Sequence, residues 1–311
     1  MSEKKIRVKH VAVSSETMKS PYENFLSGLT GSTKQDLNIN RYRFLGGTAE
    51  DDDQKYMIAY IPLLSSLKID LTQPVVEVPS IYTINPPSDI DPKLCLSVVL
   101  ASLRIYSALY LKGKCVEKER VLILNSASCW GYLACQLASL TGCEVFAEVN
   151  SLSHLSFLKK IQSSFRHQKI FQSSQDNLGE IIKEETLGTG IDCIIDLYPT
   201  HTAESKRGII ESLAIGGRWV TIDDQIQLDQ PETQCLFYKN ASLNFLFDEA
   251  YEVFGMELGK VQNIMQEALE KLKDGKFSVF IENEYNSIKE FEENILNETK
   301  SGSSIINLNK K

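Results

Sequence analysis

The feature that most constrains this chain lies between Arg120 and Ile222, where short apolar strands alternate with amphipathic segments. Val121-Leu122-Ile123-Leu124 contains no polar residue, as expected of a strand covered on both faces of a parallel sheet. A helix follows from about Trp130 to Gly142, then a strand at Glu144–Ala147 and a helix from Leu152. The alternation continues with a strand at Lys169–Phe171, a helix over Leu178–Glu185 and a strand over Ile191–Leu197. A further helix stops at Gly216-Gly217 and leads to a strand at Trp219–Ile222. Strands in this rhythm pair in parallel through right-handed helical crossovers, so the pattern predicts an α/β, doubly wound sheet. Ser242–Phe247 reads as one more strand with a less regular period, suited to a sheet edge through which a homodimer could form.

The flanks differ. Ile6–Val13 alternates, Tyr56–Ile61 is a dense strand, and Val75–Val78 leads to Ile81–Ile84, so residues 1–90 predict a small β domain. Within it, the polar stretch from Ser14 to about Gln54 carries little periodicity and reads as a long or partly disordered excursion. Asp91 followed by Pro92 is a helix start. Leu94, Val98, Leu100, Ala101, Ile105, Leu109 and Leu111 then recur until Gly113. Toward the C-terminus a helix near Met256–Lys273 shows one apolar face. A last helix, Ile288–Lys300, precedes a strand at Ser304–Leu308. The predicted organisation is a β domain over 1–90, with 288–311 packing back on it, and a nucleotide-binding domain over 91–287.

Composition narrows the functions. With 33 basic and 41 acidic residues the net charge is −8, which argues against direct nucleic-acid binding. The seven cysteines form no Cys-x-x-Cys pair and sit mostly in apolar runs, the pattern of buried thiols in a reducing compartment. No metal site is expected. The N-terminus is charged from its third residue, unlike a secretory signal, and the longest apolar run reads as too interrupted to cross a bilayer. A cytoplasmic chain without membrane insertion is expected.

The first strand of the doubly wound unit ends in Asn125-Ser126-Ala127-Ser128-Cys129-Trp130-Gly131, followed by a helix carrying Gln136. In a Rossmann unit this turn brings backbone N–H groups to a pyrophosphate at a helix N-terminus, and glycines allow the close approach. Asn125, Ser128, Cys129, Trp130 and Gly131 are therefore the candidate cofactor-binding residues. After the second strand, Asn150 and Ser151 could hydrogen-bond either a free ribose or a 2′-phosphate, and the residues leave that choice open. Cys129, at a helix start, is a candidate for a lowered thiol pKa; a small buried replacement for glycine is the plainer reading.

With Gly131 and Gln136 in this context, the turn resembles the Gly-x-x-Gly-x-x-Gly turn of the medium-chain dehydrogenase/reductase superfamily, in its zinc-free quinone oxidoreductase (zeta-crystallin) branch. Asn125 and Ser128 stand where its first two glycines would be. The resemblance extends to Val78-Pro79-Ser80-Ile81-Tyr82, to Gly190-Ile191-Asp192 and to Gly216-Gly217-Arg218-Trp219-Val220. Gln227-Leu228-Asp229, Cys235-Leu236-Phe237 and Phe245-Leu246-Phe247-Asp248-Glu249 resemble the animal zeta-crystallin-like, quinone oxidoreductase-like members of the branch. The resemblance implies a Rossmann domain behind a truncated N-terminal GroES-like β-barrel domain, with NADPH as cofactor and no zinc.

The departures matter equally. The segment whose Thr would lie near the nicotinamide reads Leu103-Arg104-Ile105-Tyr106, which makes Arg104 and Tyr106 weak catalytic candidates. Ser14 and Thr17 replace the Asn and Asp of the early barrel segment. Two functions follow. One is a degenerate fold kept as an interaction subunit; the resemblance implies protein partners in an early-endosome Rab-effector assembly that handles mRNA. The other is an active NADPH-dependent reductase of quinones or enones, in which the cofactor carries the hydride and the protein orients it.

Overall fold

A computed structural model of the chain describes residues 3–13, 42–62, 70–71, 73, 75–161, 168–173, 177–198, 201–248, 250, 258–295 and 303–308. The chain divides into two compact units, Met1–Leu103 with Glu249–Lys311, and Arg104–Asp248.

The first unit is built on a seven-stranded sheet of β1 (Glu3–Val13), β2 (Phe44–Ala49), β3 (Asp52–Tyr60), β4 (Val75–Pro79) and β5 (Thr83–Ile84), joined by two strands from the C-terminal chain. The strand β1 is antiparallel to β2 along most of its length, and along its other side to β4 at one end and to a C-terminal strand at the other. Residues 14–41 of the polar stretch, with Ser14 and Thr17, lie outside the described residues. The remainder is not a loop: β2 occupies it. Its Gly46-Gly47 pair hides the apolar rhythm, and packing against the backbone of β1 requires the second glycine. A Cβ on Gly47 would stand 2.0 Å from the Arg7 carbonyl oxygen. The core of the unit gathers Ile6, Val11, Leu45, Ala59, Val78 and Ile306.

The helix begun at Asp91-Pro92 forms as expected, with the Asp91 carboxylate accepting from the Lys93 amide at 2.9 Å. As α1 it runs over Pro92–Tyr106 and continues in π-helical turns to Lys112. This 21-residue element is long and apolar enough to cross a membrane, contrary to the expectation from its interruptions. In the protein, 83% of its most apolar window is buried, as in a core helix.

The second unit carries six parallel strands, β6 (Arg120–Ile123), β7 (Glu144–Val149), β8 (Gln168–Gln172), β9 (Ile191–Asp196), β10 (Leu213–Thr221) and β11 (Ser242–Phe245). Their order in the sheet is β11-β10-β9-β6-β7-β8, the doubly wound order with a switch point between β6 and β9. The crossovers are α2 (Cys129–Leu140), α3 (Leu152–Ile161), α4 (Leu178–Glu185) and α5 (Ala203–Ser212). The last of these ends at Ser212, not at Gly216-Gly217; both glycines already belong to β10, where the register against β9 shifts. A short helix, α6 (Glu232–Tyr238), was not expected from the sequence. The core packs Leu122, Phe146, Ile194, Ile209, Leu213 and Trp219.

The remaining elements, α7 (Leu258–Lys273), β12 (Ile281–Tyr285), α8 (Ile288–Ile295) and β13 (Ser303–Asn307), fall in the first unit. The sequence had assigned α7 to the second. Its Val261 and Met265 share a lining with Tyr60, Ile81 and Ile84. The apolar face of this helix is therefore matched to the β unit, which periodicity alone does not reveal. The sequence reading also missed β12, which pairs in parallel with β13.

Candidate functional site

The turn after β6 lies at the carboxyl ends of the parallel strands, where open α/β sheets bind ligands. Three glycines in such a turn perform three tasks: a special backbone conformation, approach of the backbone to a pyrophosphate, and close packing of the helix. Asn125 keeps the first, with a left-handed φ of +54° that Asn tolerates better than most residues. Gly131 keeps the third, because a Cβ there would stand 2.2 Å from the Asn125 carbonyl oxygen. Ser128 alters the second. It is the N-cap of α2; its hydroxyl donates to the Asn125 carbonyl at 2.8 Å and accepts from the Gly131 amide at 2.9 Å.

The turn is also closed from below. Glu148, near the end of β7, is buried, and its carboxyl group accepts from the Asn125 amide at 3.0 Å and from the Ser173 hydroxyl at 2.8 Å. Tyr198, just past β9, reaches the same oxygen as Asn125 at 3.5 Å. Burial raises the pKa of this carboxyl; the Asn125, Ser173 and Tyr198 donors oppose the rise.

On the other side stands Arg104. Its guanidinium carbon lies 3.8 Å from the centre of the Trp130 ring, and its Nε donates to Asp248 at 3.0 Å. Both charged side chains are more than nine-tenths buried. Tyr106 is buried and packs edge-on against Tyr110 at 5.6 Å, a core position. Cys129 is buried with the turn. Asn150 and Ser151 belong to the start of α3: the Ser151 hydroxyl accepts from the His154 amide, and Asn150 Oδ1 is 3.1 Å from His154 Nδ1. The structure thus gathers Asn125, Ser128, Cys129, Trp130, Gly131 and Arg104 around one turn, and assigns Asn150 and Ser151 to a helix start.

Sequence reasoning missed Glu148 and Asp248. A carboxylate inside the apolar run Val145–Val149 was the available signal for the first. It also missed a buried polar cluster at the end of β9. Asp196 accepts from Trp219 Nε1 at 2.9 Å and lies 2.7 Å from His201 Nε2, too obliquely for a regular hydrogen bond. Burial opposes the charged imidazole, but Asp196 and Asp223 outweigh it and hold the His201 pKa above its ordinary value. Among the described residues no three His, Cys, Asp or Glu side chains are grouped to hold a metal.

No family model matches the chain. Quinone oxidoreductase-like protein 1 of Mus musculus is 31% identical over 65% of this chain and 62% of its own length, so the chain spans less than two thirds of that relative. Among solved structures, the CurK enoyl reductase superposes with a TM-score of 0.75 at 18% identity, covering 98% of this chain and 90% of the other. An alcohol dehydrogenase superfamily protein from Novosphingobium aromaticivorans gives 0.76 at 14% identity, with 98% and 92% covered. These superpositions establish the fold, a Rossmann domain with a GroES-like domain. In sequence the chain is thus similar to quinone oxidoreductase-like protein 1 over about two thirds of its own length, and in fold to enoyl reductases and alcohol dehydrogenase-like proteins.

Proposed function

We propose that this chain is a quinone oxidoreductase-like fold that no longer turns over a dinucleotide and serves as an interaction subunit. The observation that carries the reading is the Arg104–Trp130–Asp248 cluster. The residue that the family resemblance puts beside the nicotinamide is here a buried arginine, stacked on an indole and paired with a carboxylate. Removing Arg104 from that arrangement to admit a ring would leave Asp248 buried and unpaired, which is unfavourable. The resemblance supplies the partner class: proteins of an early-endosome Rab-effector assembly, with the chain cytoplasmic and brought to endosomes by them. At a net charge of −8, RNA handled by such an assembly would be held by the partners.

The second reading, an NADPH-dependent quinone or enone reductase, has one observation in its favour. Among the described residues the amides of Ala127 and Trp130, at the start of α2, have no hydrogen-bond partner, so two donors remain for a phosphate. Calorimetric titration with NADPH and NADH separates the two. The proposed function expects no heat and no thermal shift at millimolar cofactor; binding at micromolar affinity or better would restore the reductase and make quinone turnover the next assay.

A further inference from the structure

Glu148 is the buried carboxyl group of the second unit that bonds directly to the turn. Its neighbours on β7, Val145, Phe146, Ala147 and Val149, are all buried and apolar. A carboxyl group in such a strand is costly to bury unless its oxygens are satisfied. Here they are satisfied from three directions: the Asn125 amide after β6, the Ser173 hydroxyl after β8 and the Tyr198 hydroxyl after β9. The group is therefore held in place beneath the turn, with one oxygen on the turn's first amide.

We infer that Glu148 closes the adenosine half of the turn, its carboxyl group occupying the Asn125 amide and the floor on which a nucleoside diphosphate would rest. The inference rests on the reading of this turn as the place of a dinucleotide, and it adds a second closure to the one made by Arg104 and Trp130. Two effects act together. The side chain fills the space under the turn, and its charge opposes a diphosphate. At an effective dielectric of about 20, unit charges about 4 Å apart change an affinity by roughly three orders of magnitude, and charges about 8 Å apart by roughly one to two.

ADP is the suitable probe, because it carries the adenosine and the diphosphate but no nicotinamide, so the Arg104–Trp130 cluster does not stand in its way. Binding is titrated for the intact protein and for Glu148→Thr and Glu148→Gln, with thermal melting as the check on folding. The expected result is weak or absent ADP binding by the intact protein and at least a tenfold gain in Glu148→Thr. A gain in Glu148→Gln as well assigns the larger share to charge. Folded variants that bind ADP no better than the intact protein overturn the inference. So does micromolar ADP binding by the intact protein, and so does failure of both variants to fold, since Glu148 would then be a structural tie alone. NADPH binding by the intact protein would overturn the proposed function, whereas the ADP comparison would still judge Glu148 by itself.

Discussion

Asn125 and Gly131 show how a glycine pattern can erode while its geometry persists. The first position needs a left-handed backbone, which Asn supplies at φ +54°. The last needs the absence of a Cβ, which only glycine supplies. Gly131→Ala would drive a methyl group against the Asn125 carbonyl and is expected to destabilise the protein by about 3 kcal/mol, read from chemical denaturation. His201 carries a prediction in pH. Its folded-state pKa lies above 6.5 although burial opposes the charge, because Asp196 and Asp223 favour it. Its contribution to stability is then fully present below the unfolded value and is lost as pH rises through the folded one. The stability gap between the intact protein and His201→Gln should therefore be wider near pH 6 than near pH 9. An equal gap at both would show that the imidazole contributes by packing rather than charge.

At the scale of elements, the turn between β6 and α2 is held by side chains from distant parts of the sequence. Arg104 lies in the last regular turn of α1, Glu148 lies on β7 and Asp248 follows β11. Asp248→Ala would leave Arg104 buried without its carboxylate and should cost about 3–5 kcal/mol. Replacing both with leucine should cost distinctly less, because no buried charge is then left alone; a double-mutant cycle measures the difference. The alternation of strands and helices in this unit was legible because apolar strands and amphipathic helices have different periods. The β2 strand was not legible, since its glycines carry no side chain to mark a face. The extent of β10 was obscured in the same way, because Gly216-Gly217 reads as a helix stop although the strand runs through it.

For the whole molecule, β11 is the outer strand of the doubly wound sheet, and Phe245 on it is half exposed. An outer strand offers unpaired backbone groups to another chain. The expected assembly is a homodimer joined through Ser242–Phe245, with a sedimentation mass of twice 35.0 kDa. The Leu246 amide donates inward to the Thr221 carbonyl and amides alternate along a strand, so Phe245→Pro, which removes an outward-facing donor, should shift it toward the monomer. A monomer already present in the intact protein would remove this expectation. The order of apolar and polar residues by itself determined that this chain makes a doubly wound sheet and a β unit, since hydrophobic periodicity is local. It also pointed to the turn at Asn125–Gly131. Only the tertiary structure decided what fills that turn, because the sequence separates Arg104, Glu148 and Asp248 and folding alone brings their charges to one place. It also decided where α7 and β12 belong, because an apolar face states that it must be buried but not against which partner.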